Sequence, residues 1–123
     1  MEQGNPKHVL VVDDFEGFRV RLARILETAG YKVTTAQDGE EGLEKFGDGK
    51  EFDLVITDLS MPRLDGISMT TRIKEISPRI PVILHSAMTL RIEDMTPGLF
   101  MGVLYKPCAM QLVIDMVDLL ARG

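Results

Sequence analysis

The sequence predicts a three-layer α/β/α fold built on a doubly wound, five-stranded parallel sheet with strand order 2-1-3-4-5. Short β-branched runs alternate along the chain with longer segments of helical periodicity, a pattern typical of β/α units. Two of the predicted strands also stop on carboxylates, and sheets of this kind bind ligands at the carboxyl ends of their strands. At 123 residues the chain is long enough for one domain with its own core, and we expect 1–123 to be that domain.

Each predicted element follows from a local pattern. The strands are short apolar or β-branched runs, at His8–Val12, Lys32–Ala36, Asp53–Thr57, Val82–His85 and Val103–Tyr105. Helices are predicted where apolar residues recur with a period near 3.6, at Phe15–Ala29, Gly39–Phe46, Ile67–Ile76 and Ala109–Leu120.

Capping residues and prolines set the helix ends. Gly30 is expected to end the first helix and Asp38 to cap the start of the second. A fourth helix, before the last strand, is predicted to be short or irregular, because Leu90–Thr96 gives at most two turns before Pro97-Gly98. The apolar faces of the first and last helices include Ala29 and Leu112, which we expect to point inward.

Charge and cysteine content exclude several classes of protein. The chain carries 14 basic and 19 acidic side chains, for a net charge of −5, and it has no Lys/Arg stripe, so we expect no direct binding to nucleic acid. A single Cys108 and two scattered histidines exclude an internal disulfide and a cysteine-based zinc site. No run of about 18 apolar residues and no signal peptide occurs, which favours a reduced, cytoplasmic protein that does not enter the membrane.

Reactive side chains end four of the five predicted strands. Asp13-Asp14 follows the first strand, Asp58 the third, Ser86 the fourth and Lys106 the fifth. Together they suit phosphoryl transfer, with Asp58 as the nucleophile that forms an acyl phosphate. Asp13, Asp14 and Asp58 would hold Mg²⁺, while Lys106 and the Ser86 hydroxyl would stabilise phosphoryl oxygens.

These residues lie within motifs that resemble those of response-regulator receiver domains of two-component signalling. The motifs occur in family order: Asp13-Asp14, Asp58-x-x-Met61-Pro62-x-x-Asp65-Gly66, Ser86-Ala87 and Lys106-Pro107. The resemblance implies a flavodoxin-like fold, phosphorylation of Asp58 by a sensor histidine kinase or phosphotransfer protein, dependence on Mg²⁺ and slow self-dephosphorylation. It also implies that the Ser60 backbone carbonyl joins the metal ligands and that the Lys106–Pro107 peptide bond is cis.

The resemblance further implies a signalling domain rather than an enzyme acting on a separate substrate. Its partner would be a downstream effector or output domain. The contact would be made by the fourth helix, the fifth strand and the last helix, Ala109–Leu120, a face that could also form a homodimer. The chain is expected to be either a stand-alone receiver or the N-terminal part of a longer regulator. A receiver-like interaction domain that works without phosphorylation is the main alternative. An aspartate-nucleophile phosphatase is disfavoured, because Ser60 lies where its second catalytic aspartate belongs.

One family feature is missing. Typical receivers have an aromatic residue three positions before the strand-five lysine, and this chain has Val103 there. We therefore expect intact phosphorylation chemistry with a rebuilt output face. Ser60 and Met88 lie where the family tunes phosphate lifetime, and neither is a strong general base, which favours a long-lived phosphate.

Four further residues receive structural interpretations. Asp65 is expected to cap the third helix and Gly66 to relieve crowding in the loop before it. His85 should be a packed strand residue pointing away from the Ser86 hydroxyl, because neighbouring strand residues face opposite sides of a sheet. Cys108 is expected to be a small packed thiol.

Overall fold

The computed structural model describes residues 6–48, 51–87 and 97–122. Its elements, in chain order, are β1 (His8–Val12), α1 (Glu16–Thr28), β2 (Lys32–Ala36), α2 (Gly39–Phe46), β3 (Leu54–Thr57), α3 (Gly66–Ile76), β4 (Val82–Ser86), β5 (Gly102–Tyr105) and α4 (Met110–Arg122). Helix α4 is the last of the predicted helices. The predicted helix before β5, and Met88, lie outside the described residues.

The strands form a single parallel sheet in the order β2-β1-β3-β4-β5, which confirms the predicted topology. Val12 lies opposite Ala36 on one side and Thr57 on the other, and Ser86 lies opposite Tyr105. This register brings the carboxyl ends of β1, β3, β4 and β5 to one edge of the sheet, where the reactive side chains follow.

Two apolar layers cover the sheet because alternate strand residues face opposite sides. Val9 and Val11 face the layer of α1 and α4, whereas Leu10 and Val12 face the layer of α2 and α3. The first layer contributes the buried helix residues Leu22, Leu26, Val113 and Val117, and the second contributes Phe46, Met69 and Ile73. The three-layer architecture is therefore as predicted.

The predicted boundaries hold to within two residues. Ser86 belongs to β4 rather than to the loop after it. Asp53 lies just before β3, where its carboxylate accepts a hydrogen bond from the His8 backbone N–H at 2.8 Å. Gly30 has a φ of 103°, which suits glycine at the end of a helix. Across the parts of the chain that the structure describes, none of the helices has the length and apolar character required to traverse a bilayer.

Two expectations about helix faces are wrong. Leu112 is 51% exposed, and Ala29 is exposed as well. In α4 the sheet covers Val113 and Val117, so the residues on either side of this narrow stripe remain partly or largely in solvent. The apolar arc read from the sequence is wider than the surface that the sheet can cover.

Candidate functional site

Asp13 is the most constrained carboxylate of the site. Its backbone N–H extends the sheet by donating to the Ala36 carbonyl at 3.1 Å, and its own carbonyl accepts from the Arg19 guanidinium at 2.8 Å. One side-chain oxygen, Oδ1, accepts from the Phe15 N–H at 2.9 Å. The residue is only 3% exposed, whereas the adjacent Asp14 is open to solvent.

Asp58 directly follows β3 and lies beside the end of β1. Its N–H donates to the Val12 carbonyl at 3.0 Å, and its Oδ1 accepts from the N–H of Leu59 at 2.7 Å. The chain then turns back, with the Gly66 N–H donating to the Leu59 carbonyl at 2.8 Å. A Cβ at Gly66 would lie 2.1 Å from the Asp58 carbonyl oxygen, which confirms that this glycine relieves crowding.

Lys106 connects the two carboxylates. Its Nζ donates to Asp13 Oδ2 at 2.8 Å and to Asp58 Oδ2 at 3.3 Å, and all three side chains are at least four-fifths buried. The backbone N–H of Lys106 donates to the Ser86 carbonyl at 2.8 Å, so β4 fixes the start of the loop after β5. The Lys106–Pro107 peptide bond is cis, as expected.

The two remaining predicted residues lie at the same edge of the sheet. Ser86 is fully buried at the end of β4, opposite Tyr105, the residue before Lys106. Ser60 is exposed in the loop that follows Asp58. The roles of the Ser86 hydroxyl and the Ser60 carbonyl stay predictions.

The acidic side chains at this edge lie close enough together to be candidate ligands of one divalent cation. One carboxylate oxygen from each of Asp13, Asp14 and Asp58 lies within 4.8 Å of the other two. Mg²⁺ binds hard oxygen ligands octahedrally, which places those ligands roughly 3–4 Å apart. Small side-chain rotations would therefore suffice for these three carboxylates to share one ion.

Burial and charge act against each other in this cluster. Burial raises the pKa of the Asp13 carboxyl above its usual range, although the hydrogen bond from Lys106 works in the opposite direction. Burial alone would lower the pKa of Lys106, but the hydrogen bond to Asp13 and the nearby carboxylate charges outweigh it and raise that pKa. Lys106 is therefore a firmly charged group that pairs with two of the three carboxylates.

An aromatic cluster that the sequence analysis did not connect with the site lies against Lys106. The ammonium group is 4.5 Å from the centroid of the Phe18 ring, whose own centroid lies 4.9 Å from that of His85. His85 Nε2 in turn lies 3.4 Å from the Cys108 sulfur. His85 is 2% exposed, as predicted for a packed strand residue, and Cys108 is half-buried. In the sequence, Phe18 is recognisable only as a residue on the apolar face of the first helix, and nothing there connects it with Lys106.

Known proteins are similar to this chain in both sequence and structure. The sequence profile of the response regulator receiver domain matches residues 9–118. The transcriptional regulatory protein GlrR of Escherichia coli is 34% identical over 116 residues, covering 92% of this chain and 26% of GlrR. The transcriptional regulatory protein PrrA of Mycobacterium tuberculosis is 34% identical over 117 residues, covering 93% of this chain and 49% of PrrA. The chain thus spans about a quarter to a half of these curated relatives.

Solved structures agree with this assignment. The response regulator TrrA of Thermotoga maritima, crystallised in complex with Mg²⁺–BeF, is 32% identical with a TM-score of 0.84, covering 93% of this chain and 98% of that one. A Borrelia burgdorferi CheX–CheY–BeF₃–Mg²⁺ complex contains a chain that is 30% identical with a TM-score of 0.85, at coverages of 94% and 89%. A profile match over most of the sequence and relatives above 30% identity show that this chain belongs to the response regulator receiver domain family.

Proposed function

We propose that this domain accepts a phosphoryl group on Asp58 in a Mg²⁺-dependent reaction with a histidine kinase or phosphotransfer protein. The observation that carries the proposal is the single cluster formed by the Asp58 carboxylate, two further carboxylates and the Lys106 ammonium group. Structural relatives captured with Mg²⁺ and a beryllium fluoride support the same chemistry for this chain.

In the proposed transfer an Asp58 carboxylate oxygen attacks the phosphorus of the donor. The new O–P bond makes an acyl phosphate, the donor's P–N bond breaks, and the departing imidazole keeps the bonding electron pair and takes a proton. Lys106 already lies 3.3 Å from Asp58 Oδ2, so its ammonium is placed to pair with a phosphoryl oxygen after transfer. Ser86 is proposed to donate its hydroxyl hydrogen to another of those oxygens.

The metal would be held by Asp13, Asp14 and Asp58, with the Ser60 backbone carbonyl as a further ligand. Bound Mg²⁺ would supply positive charge that offsets the carboxylates and the phosphoryl oxygens together. The Asp13 side chain is already fixed by the Phe15 N–H and by Lys106, so the protein itself orders one ligand in advance. Exposed Asp14 leaves the outer side of the cluster open to ions and to the donor.

The output is proposed to pass through the face formed by β5, α4 and the segment before β5. Val103 replaces the usual aromatic, and the nearby Tyr105 is 46% exposed rather than packed inward. On α4 the exposed Leu112 and Leu119 offer apolar area to an effector, an output domain or a second copy of the chain. A long-lived phosphate remains part of the proposal, because Ser60 supplies no strong base.

The decisive experiment is intact-mass measurement after incubation with Mg²⁺ and acetyl phosphate. We expect the mass of one added phosphoryl group in the wild type, loss of that mass in Asp58→Asn, and loss of labelling when EDTA removes the metal. The Asp65→Asn variant, altered in the same loop but outside the acidic cluster, serves as the control and should still be labelled.

Labelling that persists in Asp58→Asn would show that another residue accepts the phosphoryl group and would overturn this assignment. A folded wild-type protein that never gains the mass would favour the alternative, a receiver-like interaction domain that works without phosphorylation.

A further inference from the structure

Lys106 is held from three directions. Two are polar: Asp13 Oδ2 lies 2.8 Å and Asp58 Oδ2 3.3 Å from its Nζ. The third is the Phe18 ring, whose centroid lies 4.5 Å from the same nitrogen. An ammonium group within about 6 Å of a ring centroid is attracted to the negative face of the ring.

The Phe18 ring is itself fixed. It packs against His85 in a tilted arrangement, with an angle of 42° between the ring planes, and His85 is 2% exposed at the end of β4. The Cys108 sulfur lies 3.4 Å from His85 Nε2. Phe18 also packs against the apolar core beneath α1. The core therefore restrains the side chain from turning out into solvent.

A fixed ring matters because a lysine side chain has many rotamers. Ordering such a chain costs conformational entropy, and a ring on one side removes rotamers that point away from the carboxylates. During the proposed transfer the ammonium would come to pair with a phosphoryl oxygen, a shift of partner within one pocket. The ring face still permits this shift, because a cation–π attraction is less directional than a hydrogen bond.

The geometry points to Phe18 as a positioning residue for Lys106, a role that rests on the phosphoryl transfer proposed above. Phe18 holds the ammonium group on the carboxylate side of the pocket and shields it from water. Its contact with His85, which in turn lies against Cys108, supports the ring from below. This contact lies on the α1 side of the sheet, distinct from the position of Val103 in β5.

The test compares Phe18→Leu, which keeps apolar volume but removes the ring, with Phe18→Tyr, which keeps the ring face. We expect Phe18→Leu to slow labelling by acetyl phosphate by about two- to thirty-fold, the range that corresponds to a cation–π contact of this kind. Phe18→Tyr should stay close to the wild-type rate.

Phe52→Leu is the matched control. Phe52 also packs against a buried histidine, with its ring centroid 4.2 Å from that of His8, but at the opposite end of the sheet from Lys106. It should lose a similar aromatic contact and still be labelled at the wild-type rate. Equal slowing of Phe52→Leu and Phe18→Leu, or unchanged labelling of Phe18→Leu, would overturn the assignment.

A second measurement does not depend on labelling. In protein with ¹⁵N-labelled lysine, hydrogen exchange of the Lys106 ammonium group should be faster in Phe18→Leu than in the wild type and unchanged in Phe52→Leu. If the wild type takes no phosphoryl group but this difference is present, the proposed function fails while the positioning role stands. Equal exchange in all three proteins would refute the positioning role whatever the labelling shows.

Discussion

Gly66 shows how a single missing side chain shapes the site. A Cβ at this position would approach the Asp58 carbonyl oxygen to 2.1 Å, so the Gly66→Ala variant must shift the acceptor loop or α3. Because both are held by the sheet, we expect a loss of about 2–3 kcal/mol of unfolding free energy, together with slower labelling. Urea denaturation followed by circular dichroism measures the first effect, and intact mass the second.

Gly17 is the control for this substitution. Near the start of α1, a Cβ on Gly17 would make only ordinary contacts, at 3.7 Å from the Phe15 ring. Gly17→Ala should leave labelling unchanged and gain about 0.5–1 kcal/mol, since alanine favours a helix over glycine. Equal behaviour of the two variants would contradict the steric explanation.

At the residue scale the sequence was enough to predict which side chains the strand ends bring together. Asp13, Asp58 and Lys106 each directly follow a parallel strand, so the order of the strands alone brings them to one edge. The cis bond after Lys106 was expected only from the family resemblance. Phe18 could not be assigned to the site, because the contact of its ring with Lys106 depends on how α1 packs over β1, β2 and α4.

At the element scale the N-terminus of α2 offers a measurable contribution. Asp38 is 5% exposed, and its carboxylate accepts the Glu41 N–H at 2.8 Å, while Glu41 Oε1 accepts the Gln37 N–H at 2.6 Å. The Asp38 carboxylate thereby satisfies an N–H donor that a helix start otherwise leaves unpaired, and the Glu41 side chain ties down the residue before the cap. Asp38→Ala should lower the unfolding free energy by about 1–2 kcal/mol in urea denaturation.

Asp48, just beyond the C-terminal end of α2, gives the comparison for this cap. It is an exposed aspartate, and Asp48→Ala removes the same charge without removing a cap. That variant should stay within about 0.5 kcal/mol of the wild type. A similar loss in both variants would assign the effect to charge instead of capping.

Strands and helix caps were predictable because their signals are local. Asp38 and Asp65 both cap the helices assigned to them, each accepting an N–H from three residues ahead. The inward face of α4 was less predictable, since its rotation depends on its neighbours. A Cβ at Gly102 would lie 2.3 Å from the Met116 sulfur, so the absence of a side chain in β5 lets Met116 approach the sheet, a contact that no local pattern in α4 signals.

At the scale of the whole molecule the chain separates its charged edge from its apolar layers. The described reactive groups gather at the carboxyl ends of the strands, and the two cores lie on either side of the sheet. His85 belongs to both environments, because it lies next to Ser86 near the end of β4 yet is buried among apolar neighbours. Its protonation therefore couples pH to the stability of the entire fold.

Burial, helped by the positive charge of Lys106, lowers the pKa of His85 from 6.5 to about 4. Above pH 6.5 neither the folded nor the unfolded form binds this proton, and the full stability is present. Between pH 6.5 and 4 the unfolded chain takes up the proton and the folded protein does not, so stability falls with falling pH. From pH 7 to pH 5 this histidine alone should remove about 2 kcal/mol.

Urea denaturation of metal-free protein at pH 7 and pH 5, in the wild type and in His85→Leu, isolates that contribution. The raised pKa of buried Asp13 acts with the opposite sign at low pH, because there the folded form binds a proton more readily than the unfolded one. Asp13 is present in both proteins, so its effect cancels in the comparison. The wild type should therefore lose about 2 kcal/mol more than His85→Leu. Parallel losses in the two proteins would mean that the His85 imidazole is protonated inside the folded domain, which its apolar surroundings and the adjacent Lys106 ammonium group oppose.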